Sequence, residues 1–303
     1  MLQNLLTIFF FFSLGYIYKK LKIFPQEYSK SYIDFIMYVG FPALVINNIY
    51  HLKFTSDVYL ILLSGWIAII VNIFFSYQVA KLLKLNRESA ISFVMVATFA
   101  NTGFLGYPYI LSLYGPEGLR YAVIFDNVAM FLPIFLMAPI LISFAKKEEK
   151  LFKIDLKKLF LFPPFLSLLI ALALKPFPLP NLVLKILDIL GSTVIPLILF
   201  SVGMNLSFSA VGRNLKPVFT VLFIKHLILP LSFLSVILIF GVSLTLPWKV
   251  AVLELAMPPM VLASIFVIEA NLDKDIAVSS VALGIVLSFL TVPLIYYILE
   301  NMV

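Results

Sequence analysis

The sequence predicts an all-α polytopic membrane protein: ten transmembrane helices in two inverted five-helix repeats, with both termini outside. Three observations carry this reading. Of 303 residues, 62% are apolar and 12% charged, whereas a soluble domain holds about half apolar and a quarter charged residues. The apolar residues gather into ten segments near the ~20 residues that cross a bilayer. The basic residues alternate between loops on the two sides.

The first segment, 2–18, is apolar from Leu2 onward, without a charged n-region or a small-residue cleavage site. It reads as a span, not a cleaved signal. Segment 31–49 carries Asp34 and Pro42, and 58–80 follows. Segment 88–113 is interrupted at Asn101-Thr102-Gly103-Phe104-Leu105-Gly106-Tyr107-Pro108, and 118–144 contains Asp126, Asn127 and Pro133. A basic loop, 146–158, joins the first repeat (1–145) to the second (159–303). Segment 159–174 is short and begins with Pro163-Pro164. Segment 182–206 carries Asp188 and Pro196, and 217–241 carries Lys225 and His226. Segment 248–270 is interrupted at Met257-Pro258-Pro259, and 275–299 contains Pro293.

Sixteen basic residues fall in loops on one side and five on the other, and Lys225 lies within a span. The positive-inside rule then places both termini outside, and an even span count agrees. The net charge of +7 is thus a topology signal, not a surface for nucleic acid. Absence of cysteine excludes disulfides and thiolate metal sites. No G-x-x-x-x-G-K-[ST] loop is present to drive a primary pump. An enzyme is not expected: H-E-x-x-H and D-x-x-x-D motifs are missing, two histidines build no metalloprotease site, and neither Asp34 nor Asp188 lies in G-x-G-D. No cofactor and no metal are expected.

The halves lay over each other. Asp34 stands eight residues before Pro42, as Asp188 does before Pro196. The same offset pairs the Lys19-Lys20 end of span 1 with the Leu174-Lys175 end of span 6. A slightly larger one places Asn101 on Pro258, and three more residues bring Pro133 onto Pro293. Five spans per half is odd, so the second copy enters the membrane inverted. Inverted repeats with discontinuous helices at corresponding positions describe secondary transporters.

Asn101-Thr102 with Gly106, Pro108 and Tyr114-Gly115 resembles a motif of the auxin efflux carrier family. A second block, Pro258, Glu269, Asn271, Ser279, Gly284, Val292-Pro293 and Tyr296-Tyr297, follows that family's order in its last two helices. The resemblance implies a fold similar to bile-acid/sodium and sodium–proton transporters. Spans 1, 2, 6 and 7 would form a scaffold domain, often dimerising. Spans 3–5 and 8–10 would form a transport domain in which broken spans 4 and 9 cross. It further implies a multi-pass protein of the cell (inner) membrane that moves small organic anions by alternating access.

A half-helix beginning at midplane presents unpaired N–H groups and a positive dipole end, an anion site in low dielectric. Pro108 and Pro258-Pro259 suit first-turn positions, and Gly103 and Gly106 permit close backbone approach. Asn101 supplies a neutral donor and acceptor. The expected substrate contacts are Asn101, Thr102, Gly103, Gly106, Tyr107, Pro108, Met257, Pro258 and Pro259; the same residues also serve if the helices merely cross closely. Intramembrane ionisable residues are functional candidates by default. Asp126, beside Asn127, is either a proton carrier or a hydrogen-bond partner for freed backbone. Glu254 either carries a proton or reaches a vestibule or the outer interface. Lys225 and His226 are coupling candidates, against snorkelling of the lysine and local satisfaction of the histidine. Asp34 and Asp188 are scaffold or gate groups, and Glu269 and Asn271 read as caps. Sodium-coupled symport of the bile-acid type is the alternative, although Met257-Pro258-Pro259 lacks the Asn, Gln and Glu side chains that would ring a cation.

Overall fold

The computed structural model describes residues 2–25, 27–146, 156–206 and 215–302. Most of the expected basic connecting loop, from 147 to 155, lies outside them. Among the described residues the secondary structure is helical, broken only by an isolated antiparallel bridge between Ala100 and Pro259.

Six helical stretches are long and apolar enough to cross a membrane: Tyr28–His51, Ser56–Leu82, Thr102–Lys146, Asn181–Asn205, Leu215–Ile239 and Lys274–Asn301. Pro163–Leu174 is a shorter apolar helix. The ninth segment fails on length because it is divided into Leu246–Leu255 and Val261–Glu269. Each piece is about 15 Å long, half a hydrocarbon core. Thr102–Lys146, at about 68 Å, is twice that thickness. It turns at Gly115, whose φ of 69° and ψ of −167° are not helical, just ahead of Pro116. Large apolar side chains such as Leu63, Phe74, Phe219 and Leu290 are exposed on these helices, which suits lipid rather than water.

Prolines shape these helices in a regular way. Among the described residues, π turns occupy Ile36–Gly40, Thr102–Gly106, Asp126–Phe131 and Ile224–Ile228. Each ends two residues before a proline: Pro42, Pro108, Pro133 and Pro230. A proline lacks the N–H for the preceding turn and clashes with the carbonyl four residues back. That carbonyl falls inside the π turn every time, and the wider turn relieves the clash.

The chain forms two compact units. One comprises Met1–Thr55, Gly103–Asn127 and Asp155–Leu206. Within it, helix Leu2–Lys20 packs on Val194–Asn205 with backbones in direct approach. Gly15 faces the Phe200 carbonyl, and Gly203 faces that of Phe12. Small residues at such a crossing allow close packing in lipid. Phe41–His51 packs on Pro163–Leu174 and Asn181–Ser192. Its last carbonyls, orphaned by the helix end, are met by Lys175, whose Nζ donates to Ile49 and Tyr50 at 3.1 and 2.9 Å and also to Leu52.

The other unit comprises Ser56–Thr102, Val128–Ile154 and Ser207–Val303. Here Ser56–Leu82 packs against Arg87–Thr98, and Lys274–Asn301 packs against both Arg87–Thr98 and Leu215–Phe223.

Candidate functional site

In the second unit the interruptions at 99–101 and 256–260 pair with each other. The Asn101 N–H donates to the Pro258 carbonyl at 2.8 Å, and the Met260 N–H donates to that of Phe99 at 2.9 Å. With the Ala100–Pro259 bridge, this is a short antiparallel ladder. Each break therefore satisfies the backbone groups the other exposes, which lipid would leave unpaired at several kcal/mol apiece. Pro258 and Pro259 are extended rather than in a first helical turn, because helix resumes only at Val261. Helical geometry after the other break resumes at Thr102, well ahead of Pro108. The expected first-turn placement is corrected for Pro258 and Pro259, since a proline with no N–H fits an extended edge as readily as a helix start, whereas Pro108 does stand in the first turn of Tyr107–Phe125, behind the π turn.

Asn101 is buried, and its Nδ2 has no hydrogen-bond partner among the described residues. Thr102, fully buried, places its hydroxyl 3.5 Å from the Ala100 carbonyl. Two residues of other helices support the ladder. Asn72 donates Nδ2 to the Ala97 carbonyl at 3.0 Å and to Thr98 Oγ1 at 3.2 Å, capping the end of Arg87–Thr98. Gly284 lets Lys274–Asn301 approach: a Cβ there would lie 2.6 Å from Pro259 Cδ and 3.2 Å from Pro258 Cβ. Sequence reasoning passed over Asn72, although it is the lone Asn in a 27-residue apolar helix.

Beside this ladder lie three buried ionisable groups. Lys225, 0% exposed, does not snorkel; its Nζ donates to the Leu255 carbonyl at 2.7 Å. Glu254, also 0% exposed, reaches neither the interface nor an open vestibule, and lies close enough to act electrostatically on Lys225. His226 Nδ1 lies 2.9 Å from Thr291 Oγ1. The π turn Ile224–Ile228 explains how consecutive polar residues both face inward, since its extra residue per turn narrows the angle between neighbours.

In the first unit, Tyr107 donates its hydroxyl to Asp126 Oδ2 at 2.6 Å. Gly103 sits over the same carboxylate: a Cβ there would lie 3.2 Å from Oδ2 and 3.6 Å from the Phe41 ring. Phe41 stacks on Phe104 with centroids 6.0 Å apart and meets Tyr107 edge-on at 5.7 Å. Gly106 closes the π turn that leads into Tyr107 and Pro108. Asn127 donates Nδ2 to the Val123 carbonyl at 2.9 Å, and its Oδ1 is buried without a partner among the described residues.

The same unit holds a cavity of about 720 Å³, walled by apolar residues and by Asn47, Asn48, His51, Arg120, Lys185 and Asp188. Its lining sets an arginine, a lysine and a histidine against one aspartate, a balance that attracts anions. Burial first, and the Arg120 charge second, lower the pKa of Lys175 in this unit. Asp34 is exposed and does not line the cavity, so the structure brings Asp188 but not Asp34 to it. Arg120 and Lys185 were missed as site candidates because their charges counted only toward topology, and His51 because it was weighed only as a metalloprotease ligand. Glu269 ends its helix, and Asn271, at φ 51°, turns the chain there by donating its N–H to Ile268, as a cap does.

Comparison with known proteins gives a consistent result. A transporter of Methanothermobacter thermautotrophicus, described as uncharacterized, is 28% identical over 297 residues, 96% of each chain. An uncharacterized transporter of Methanocaldococcus jannaschii is 26% identical over 296 residues, 95% of each chain. A family model described as membrane transport protein matches residues 1–296. Family match and exposed apolar helices together describe an integral, multi-pass membrane transporter. The chain belongs to the membrane transport protein family, that of the auxin efflux carriers.

Proposed function

We propose that this protein is a secondary transporter that moves a small organic carboxylate by alternating access and binds it at the two paired breaks. The observation that supports this most is Asn101: a buried amide whose Nδ2 has no partner among the described residues, on a backbone ladder between two interrupted helices. A buried donor left open costs about 1–3 kcal/mol, and a bound carboxylate would recover it. The cationic cavity around Arg120 and Lys185 supports an anionic rather than cationic substrate.

In this reading ten spans form two inverted five-helix repeats, with both termini outside. Thr102–Lys146 supplies two passes joined at Gly115, and the interrupted spans 4 and 9 cross at the ladder. Spans 3–5 and 8–10 move against a scaffold of spans 1, 2, 6 and 7, through which two copies dimerise. Asp126 is the proton carrier if transport is coupled to protons.

The test is a thermal-shift screen of purified protein against small mono- and dicarboxylates, followed by uptake of the stabilising compounds into proteoliposomes. Saturable uptake with counterflow is expected. Non-saturating flux without counterflow would mean a channel. No carboxylate transported at all would remove the reading.

A further inference from the structure

We infer that Lys225 is a resident cation of the transport machinery: its ammonium occupies the place at the end of a broken helix where a coupling sodium ion would bind, so that transport is independent of alkali cations. The inference rests on the transporter reading and deepens it.

Helix Leu246–Leu255 ends inside the protein, where its last carbonyls carry the negative end of the helix dipole. Most of them are satisfied locally. The Ala256 N–H is shared between the carbonyls of Val252 and Leu253, and the Met257 N–H donates to that of Glu254 at 3.3 Å. Pro258 O, farther along, accepts from Asn101. The Leu255 carbonyl is met by Lys225 Nζ at 2.7 Å. A π turn of a neighbouring helix thus supplies the donor for this freed carbonyl. Discontinuous helices of cation-coupled transporters bind sodium at such C-terminal half-helix ends. Here a side chain fills that place.

Charge balance points the same way. The fully buried ionisable groups of this cluster are Glu254, Lys225 and His226. With His226 neutral, one carboxylate balances one ammonium. A sodium ion added to that set would bring an uncompensated charge among fully buried groups, which is costly. Removing the ammonium instead leaves Glu254 and the Leu255 carbonyl as ready-made oxygen ligands.

The experiment uses the purified full-length protein and sodium, lithium or methylammonium chloride, with choline chloride at equal ionic strength as reference. Wild-type melting should show no cation-specific shift, and its carboxylate uptake in proteoliposomes should agree within about twofold between sodium and choline. Lys225→Met should gain a cation-specific rise of about 3 °C or more with sodium or methylammonium, while Lys225→Arg, which keeps the charge, should not. A sodium-specific stabilisation of the wild type, or a tenfold loss of its uptake in choline, overturns the inference. So does a folded Lys225→Met that ignores every cation. Should Lys225→Met not fold, the wild-type melts still decide, because they need no substrate. Absence of uptake in both sodium and choline tells against the transporter reading, whereas dependence on sodium tells against the resident cation alone.

Discussion

The hydroxyl of Tyr107 meets Oδ2 of Asp126 at 2.6 Å, with both side chains buried. This hydrogen bond fixes the position of the Asp126 carboxyl group between its helix and Tyr107. Asp126→Asn should abolish uptake driven by a pH gradient and leave substrate exchange within about twofold. Parallel gradient-driven and counterflow assays measure this; equal loss of both would make Asp126 structural. Tyr107→Phe should cost about 1.5–3 kcal/mol of stability, the range for a bond to a charged group.

Asn101 and Asn72 should separate function from stability. Asn101→Ala removes an Nδ2 that bonds nothing among the described residues, so the melting temperature should move by no more than about 2 °C while uptake is lost. Unchanged uptake would take Asn101 out of the site.

Asn72→Ala, by contrast, frees the Ala97 carbonyl and the Thr98 hydroxyl inside the second unit. Its expected cost is about 1–3 kcal/mol, seen as a lower melting temperature in detergent.

Glycine substitutions test the close approaches. Gly284→Ala would press its methyl into Pro259 and should cost about 1–3 kcal/mol, as overpacking does. Gly203→Leu would drive a branched side chain into the Phe12 backbone, where no flexible side chain can yield. It should abolish a monodisperse peak in size-exclusion chromatography.

Composition and loop charge made the membrane class plain, and Gly-Pro chemistry located both interruptions within a few residues. The finer geometry was hidden for identifiable reasons. Pro108 stands out in the sequence, but the departure from α geometry lies upstream of it, because a proline disturbs the turn before itself. Lys225 looked like a snorkelling lysine, since a sequence does not reveal which carbonyls a break elsewhere will leave open. Arg120 is far along the chain from Lys185 and Asp188, and only folding gathers the three around one cavity. Asn101, whose role follows from local chemistry, was visible at once.

The ladder between the breaks also constrains how the protein can be made. Phe99 and Asn101 leave the ribosome long before Pro258 and Met260, more than half the chain later. Until those partners arrive, the first interrupted helix has open N–H and C=O groups that lipid will not accept. During biogenesis it must therefore wait at the interface, in the insertion machinery, or against temporary partners. Membrane integration is then completed from the C-terminal half, and a chain that stops short of residue 258 strands its own midpoint.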